Sequence, residues 1–171
     1  YPLSASIAVE YFSSGSSRAR VDALRVTSDY YNKLSIYHAH ESSRTTEMTW
    51  NRDHQELTLV SIPSIFYGSS IKKGTVDLKF YQTGVLKGRL KDEKKNGELI
   101  QVEGSSSEAG VDAGSGSVAG VVLYNEGFII LTGSWPLHDE TYNYINNASN
   151  KKRGAWRYFG ASANYHGGKD N

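Results

Sequence analysis

The sequence predicts a mainly β protein: an antiparallel, sandwich-like domain with one N-terminal helix and extended termini. Three observations predict it. Residues 85–102 and 120–133 each place strand-type residues on both sides of a short polar turn with a glycine at its end. Residues 75–81 alternate, with Val76, Leu78 and Phe80 on one face and Asp77, Lys79 and Tyr81 on the other. Twelve tyrosines, abundant serine and 17 glycines in 171 residues suit strands joined by flexible turns.

The elements follow in order. Residues 4–12 form a strand in which Ile7, Val9 and Tyr11 alternate with small or polar neighbours. The run 13–17 (SSGSS) is a loop, and Ser17 caps a helix over about 18–36. Val21, Leu24, Tyr31 and Leu34 share one face of that helix, with Ser28 in the stripe. Residues 38–55 have no period and read as a loop with one short strand near 48–50. A strand over 57–62 ends at Pro63, which has no N–H to donate to a ladder. A short continuation at 65–67 stops at Gly68.

Thr83-Gly84 turns the chain after the 75–81 strand. Leu86, Gly88 and Leu90 then take one face, and Lys87, Arg89 and Lys91 the other. Asn96-Gly97 is a turn, and the return strand over 98–102 directs Ile100 and Val102 inward. The result is an antiparallel meander. Residues 104–117 are a flexible Gly/Ser loop. Residues 120–124 and 128–132 make a hairpin whose turn, Asn125-Glu126-Gly127, puts glycine in the left-handed position. Both strands are apolar on both faces, so a layer must cover each side. Residues 136–171 are an extended, weakly ordered tail with one short strand at 155–159. The chain reads as a single β-rich domain, whole or part of a longer polypeptide, since it starts at Tyr1.

Composition narrows the function. There is no cysteine, so neither disulfides nor a thiolate zinc site contribute. The formal net charge of +1 argues against bulk attraction to nucleic acid or anionic membrane. Apolar runs such as 128–131 fall far short of the roughly 20 residues that span a bilayer.

Each cluster with chemical potential has a plainer explanation. His38 and His40 lie two apart beside Glu41, a spacing that on a strand presents two metal ligands to one side. A third ligand would be His54, Asp53 or His138. The stretch lacks a strand pattern, so ordinary loop histidines are favoured. His138-Asp139-Glu140 holds hydrolase-type residues, but no G-x-S-x-G elbow accompanies them. The glycines of 110–120 precede a strand rather than a helix, which disfavours a phosphate cradle.

Between residues 71 and 95 eight basic residues face three acids. The row Lys87, Arg89, Lys91 suits an acidic partner surface, or simply keeps exposed strands from aggregating. Lys151, Lys152, Arg153 and Arg157 interleave with Trp156, Tyr158 and Phe159, a pattern shared by single-strand binders and by short strands that pack alternate aromatics. Asn147-Ala148-Ser149 matches an N-glycosylation tripeptide.

The words SIPSIFYGSSIKKGTVDLKFY (61–81), KNGELI (95–100) and GSVAGVVLYNEGFIILTGSW (116–135) occur in this order. Together, over residues 57–135, they resemble a module in large structural proteins of tailed bacteriophage virions of the marine-phage type. The resemblance implies a particle component of tail, neck or baseplate, made in the host cytoplasm and assembled into the virion. It supplies no catalytic residues.

The resulting expectation is a non-enzymatic protein without cofactor or bound metal. Its partners are other virion subunits, with a homo-oligomer inside a symmetric assembly, no membrane, and no nucleic acid. The alternative is a carbohydrate-binding or adhesin domain. Its glycan contacts would be Tyr142, Tyr144, Trp156 and Tyr158, with Lys87, Arg89 and Lys91 as further partner contacts.

Overall fold

The computed structural model describes residues 7–15, 17–46, 48–104, 114–138, 140–144 and 151–161. The mainly β expectation holds. Seven strands, β1 (Ala8–Phe12), β4 (Leu57–Ser61), β5 (Asp77–Gln82), β6 (Val85–Lys91), β7 (Glu98–Gly104), β8 (Val118–Leu123) and β9 (Phe128–Leu131), form one antiparallel sheet in the order β1-β4-β9-β8-β7-β6-β5. β5, β6 and β7 are the expected meander, and β8 and β9 the expected hairpin. Two small hairpins stand apart, β2 (Glu41–Ser43) with β3 (Thr49–Asn51), and β10 (Thr141–Asn143) with β11 (Lys151–Arg153).

The turns follow the side chains. Thr83 and Gly84 both take positive φ, at 49° and 80°, and close β5 onto β6. At the β6–β7 turn the positive values fall on Lys95 and Gly97 rather than on Asn96. Gly127 has φ +74°, and a Cβ there would lie 2.5 Å from the Ile62 carbonyl oxygen. Only glycine fits that corner.

The registers assign the two faces of the sheet. Thr58, Val60, Ile129, Leu131, Gly120 and Val122 share the inner face. Leu57, Leu59, Ile130, Val121 and Leu123 share the outer one, and every apolar residue among these lies in the core. Both faces are covered, as the two-sided apolarity of β8 and β9 requires. The outer face packs under two short helices, α1 (Ala19–Ala23) and α2 (Arg25–Tyr31), and a 3-10 turn at Ile36–His38. Val21, Leu24 and Tyr31 are buried here, as the helical stripe predicted. The single helix over 18–36 is nevertheless broken. Leu24 caps one helix and opens the next, and Ser17 caps neither.

Arg18 is buried instead, and its guanidinium donates to the carbonyls of Ser13, Arg52 and Gln55 at 2.5–2.7 Å. Arg52, also buried, donates to the carbonyls of Tyr37 and His38. Burial lowers its proton affinity to a pKa of about 10, still charged at neutral pH. The loop 38–55 carries little apolar residue, so these two cations hold it by its backbone.

The inner face is covered by the segment read as an extended tail. Over residues 151–161 that reading is corrected. Trp156 is fully buried, and Leu137 joins it in the core. The expected strand at 155–159 is a 3-10 turn, Trp156–Tyr158. Its carbonyls and amides are fixed through the sheet: Thr58 Oγ1 donates to the Arg157 carbonyl at 2.7 Å and accepts from the Gly160 amide at 3.1 Å. The indole lies over Gly88, where a Cβ would come 2.8 Å from its Cζ2. Ile65, expected to extend β4, lies in a 3-10 turn, Ser64–Phe66.

Candidate functional site

The curl of the sheet leaves a seam. β1 pairs only with β4 and β5 only with β6, so each keeps an outer edge without a ladder partner among the described residues. The two edges face each other across one apolar cavity of about 710 Å³. Ile7 and Val9 form the β1 wall, Val76 and Leu78 the β5 wall, and Val60 and Ile129 the floor. Phe66 and Tyr67 close one side, and Phe159 blocks the end where the C-terminal segment fills the curl.

Local sequence builds each wall. Register pairs Val9 with Val60 and Val60 with Ile129, which aligns three β-branched side chains across three strands. The strict alternation of β5 turns Leu78 inward and sends Asp77 and Lys79 to solvent. Val9 is still 40% exposed, so the cavity opens to water. Polar groups sit at its edge: Ser70, Lys72, Thr75 and Asp77.

Within the basic row Arg89 is ion-paired. Arg89 grips Asp77 with Nε and Nη2 at 2.9 and 2.7 Å, and Glu103 with Nη1 at 3.0 Å. Asp77 and then Glu103 raise the Arg89 proton affinity, and Arg89 lowers that of Asp77. Lys87 is buried and Lys91 half-buried on β6, which is an interior strand of the sheet.

The aromatic candidates separate. Trp156 and Tyr158 are buried, so neither offers a solvent-exposed platform. Tyr142 and Tyr144 are half-buried on the β10 side, 6.1 Å apart. Tyr144 stacks on Tyr158 at 4.8 Å, and burial pushes its phenol up to about 12.

The histidines also separate. His38 is buried, with Nδ1 3.2 Å from the Ser35 carbonyl and Nε2 3.1 Å from that of Val122. His40 turns the other way, its Nε2 2.8 Å from Asp53 Oδ1. Asp22 completes a cluster of ligand-type atoms with His40 and Asp53. Arg25 already occupies the other oxygen of Asp53. His40 and Arg25 together hold the Asp53 carboxyl down to about 2. A guanidinium at that oxygen does the work of a cation, so the group is a structural ion pair. His138 Nδ1 accepts from the Glu140 amide, while Asp139 and Asn147-Ala148-Ser149 lie outside the described residues.

Two groups escaped the sequence reading. Asp92 is buried in the meander, accepting from the Gly74 amide at 2.9 Å, the Gly97 amide at 3.1 Å and the Tyr124 hydroxyl. Gln101, also buried, accepts from two indoles. Asp92 stands beside two loop glycines and Gln101 in an alternating strand, so nothing local marks either. No helix among the described residues is long and apolar enough to cross a membrane. Comparisons with family models, curated proteins and solved structures find no match to the chain.

Proposed function

We propose that the chain is a non-enzymatic structural subunit of a tailed-phage-type virion, working through subunit–subunit contact. One observation carries the reading: an open seam whose two strand edges have no ladder partner among the described residues, with an apolar slot between. An exposed strand edge is a template for another chain, and half-exposed apolar surface gains free energy when covered. Folded monomers normally blunt such edges, and here Lys79 and the Asp77–Arg89 pair protect β5 only on its outward face. The resemblance over 57–135 agrees, because that stretch contributes six of the seven strands of the main sheet, β4 to β9.

The test is sedimentation. Antibody against the chain, applied to gradient-purified particles of the virus that encodes it, should decorate the particle. A chain found only in the soluble fraction of the lysate would overturn the reading. A second reading, glycan binding, draws on the half-buried Tyr142 and Tyr144 beside the basic Lys152. A glycan array without hits removes it.

A further inference from the structure

We propose that the seam receives an extended strand, residues 1–6 of a second copy of this chain, which pairs with the free edges and closes the curled sheet. The inference rests on the assembly reading above and names the partner segment.

The slot has the shape for a strand. Its two long walls are strand edges without a ladder partner among the described residues, and its floor is the apolar pair Val60 and Ile129. A cavity of about 710 Å³ has room for roughly two dozen waters, but Ile7, Val9, Val76 and Leu78 offer those waters no hydrogen bonds. An inserted strand satisfies both needs at once. Its backbone completes the ladders, and one face of its side chains fills the apolar space.

The chain carries a matching segment. Residues 1–9 read YPLSASIAV, with Tyr1, Leu3, Ala5, Ile7 and Val9 on alternate positions and Pro2, Ser4 and Ser6 between them. That alternation suits a strand with one apolar and one polar face. β4 offers no further ladder partner ahead of β1. β4, the neighbour of β1, ends at Ser61 opposite Ala8. The next amide, Ile62 N, donates to Gly127, and Pro63 has none.

Nor does its own slot suit it. Lying against the outer edge of β1 would need a reversal between Ser6 and Ile7, without the two turn residues that the tightest hairpin requires. A second copy has no such constraint. Reciprocal exchange of the segment gives a closed pair, and one-way donation gives a ring or filament.

The experiment compares three samples. Light scattering across concentration measures the mass of the full chain and of the chain lacking residues 1–6. A fluorescein-labelled peptide of residues 1–9 is then titrated into the shortened chain by anisotropy. The titration is repeated with Leu78→Asp at the half-exposed wall, after circular-dichroism melting confirms that this variant is folded. The full chain should associate, the shortened chain should be monomeric, and the peptide should bind it at least tenfold more tightly than the Leu78→Asp form. Equal masses for the two chains, or equal peptide binding to both forms, overturn the proposal. So does saturable uptake of palmitate with no peptide binding. If the chain decorates particles yet the peptide does not bind, the assembly role stands and the inserted strand falls.

Discussion

Trp156 donates its indole N–H to Oε1 of Gln101 at 2.9 Å, from a site with no exposure to water. The same oxygen accepts from the Trp135 indole at 2.7 Å. One amide on β7 therefore holds two indoles, 21 residues apart in sequence, against the sheet. Gln101→Ala should cost about 2–4 kcal/mol, since a buried N–H loses its acceptor and a cavity opens beside it. Urea unfolding followed by tryptophan fluorescence reads this directly. An unchanged midpoint would mean that the indole packs without needing the bond.

Gly88→Ala tests the packing of the same indole. The new Cβ would lie 2.8 Å from Cζ2 and 3.3 Å from Leu137 Cδ2. The ring cannot retreat without breaking its bond to Gln101. Overpacking of this kind costs about 1–3 kcal/mol, visible as a lower melting temperature.

Asp92→Asn should loosen three loops together. The carboxylate accepts from Gly74, Gly97 and Tyr124, and an amide NH₂ in its place would confront donors. A loss of about 1–3 kcal/mol is expected from the unsatisfied buried groups. Burial first, and Asp92 second, raise the Tyr124 phenol above its ordinary value. Spectrophotometric titration of the variant should return one tyrosine toward normal ionisation.

His38 sets a pH dependence. Its folded proton affinity lies below the ordinary value of 6.5, chiefly because burial disfavours the imidazolium, although the Val122 and Ser35 carbonyls partly offset this. The unfolded chain therefore binds the proton more readily. The stability from neutral His38 is complete above pH about 6.5 and declines as pH falls below it. Urea midpoints at pH 7.5 and 5.5 should differ in that sense, and His38→Gln should flatten the difference.

The strands were legible where one physical rule acts locally. β5 shows its period of two, the Thr83-Gly84 and Asn125–Gly127 turns carry their glycines, and β8 and β9 announce two-sided burial by lacking a polar face. The alternation misleads at β7. Leu99 and Gln101 are the buried pair there and Ile100 and Val102 are half-exposed, so the inward face is the opposite of the one expected. The helix breaks at Leu24, which ends one helix and opens the next, and buried Arg18 rather than Ser17 stands at its start. Trp156 lay hidden among basic residues, of which Lys152 and Arg153 are exposed and Arg157 pairs with Glu56. The seam was invisible in principle. It arises when β1 meets β4 across about 50 residues of intervening sequence, and pairing at that separation leaves no local trace.

The late position of Trp156 along the chain has a consequence for biogenesis. On the ribosome all seven strands of the main sheet emerge before the indole that fills their concave side. Until it arrives, Leu131, Val122 and their neighbours remain wet, and the nascent polypeptide displays sticky surface as well as bare edges. A chaperone that shelters extended apolar segments would find its client in that interval.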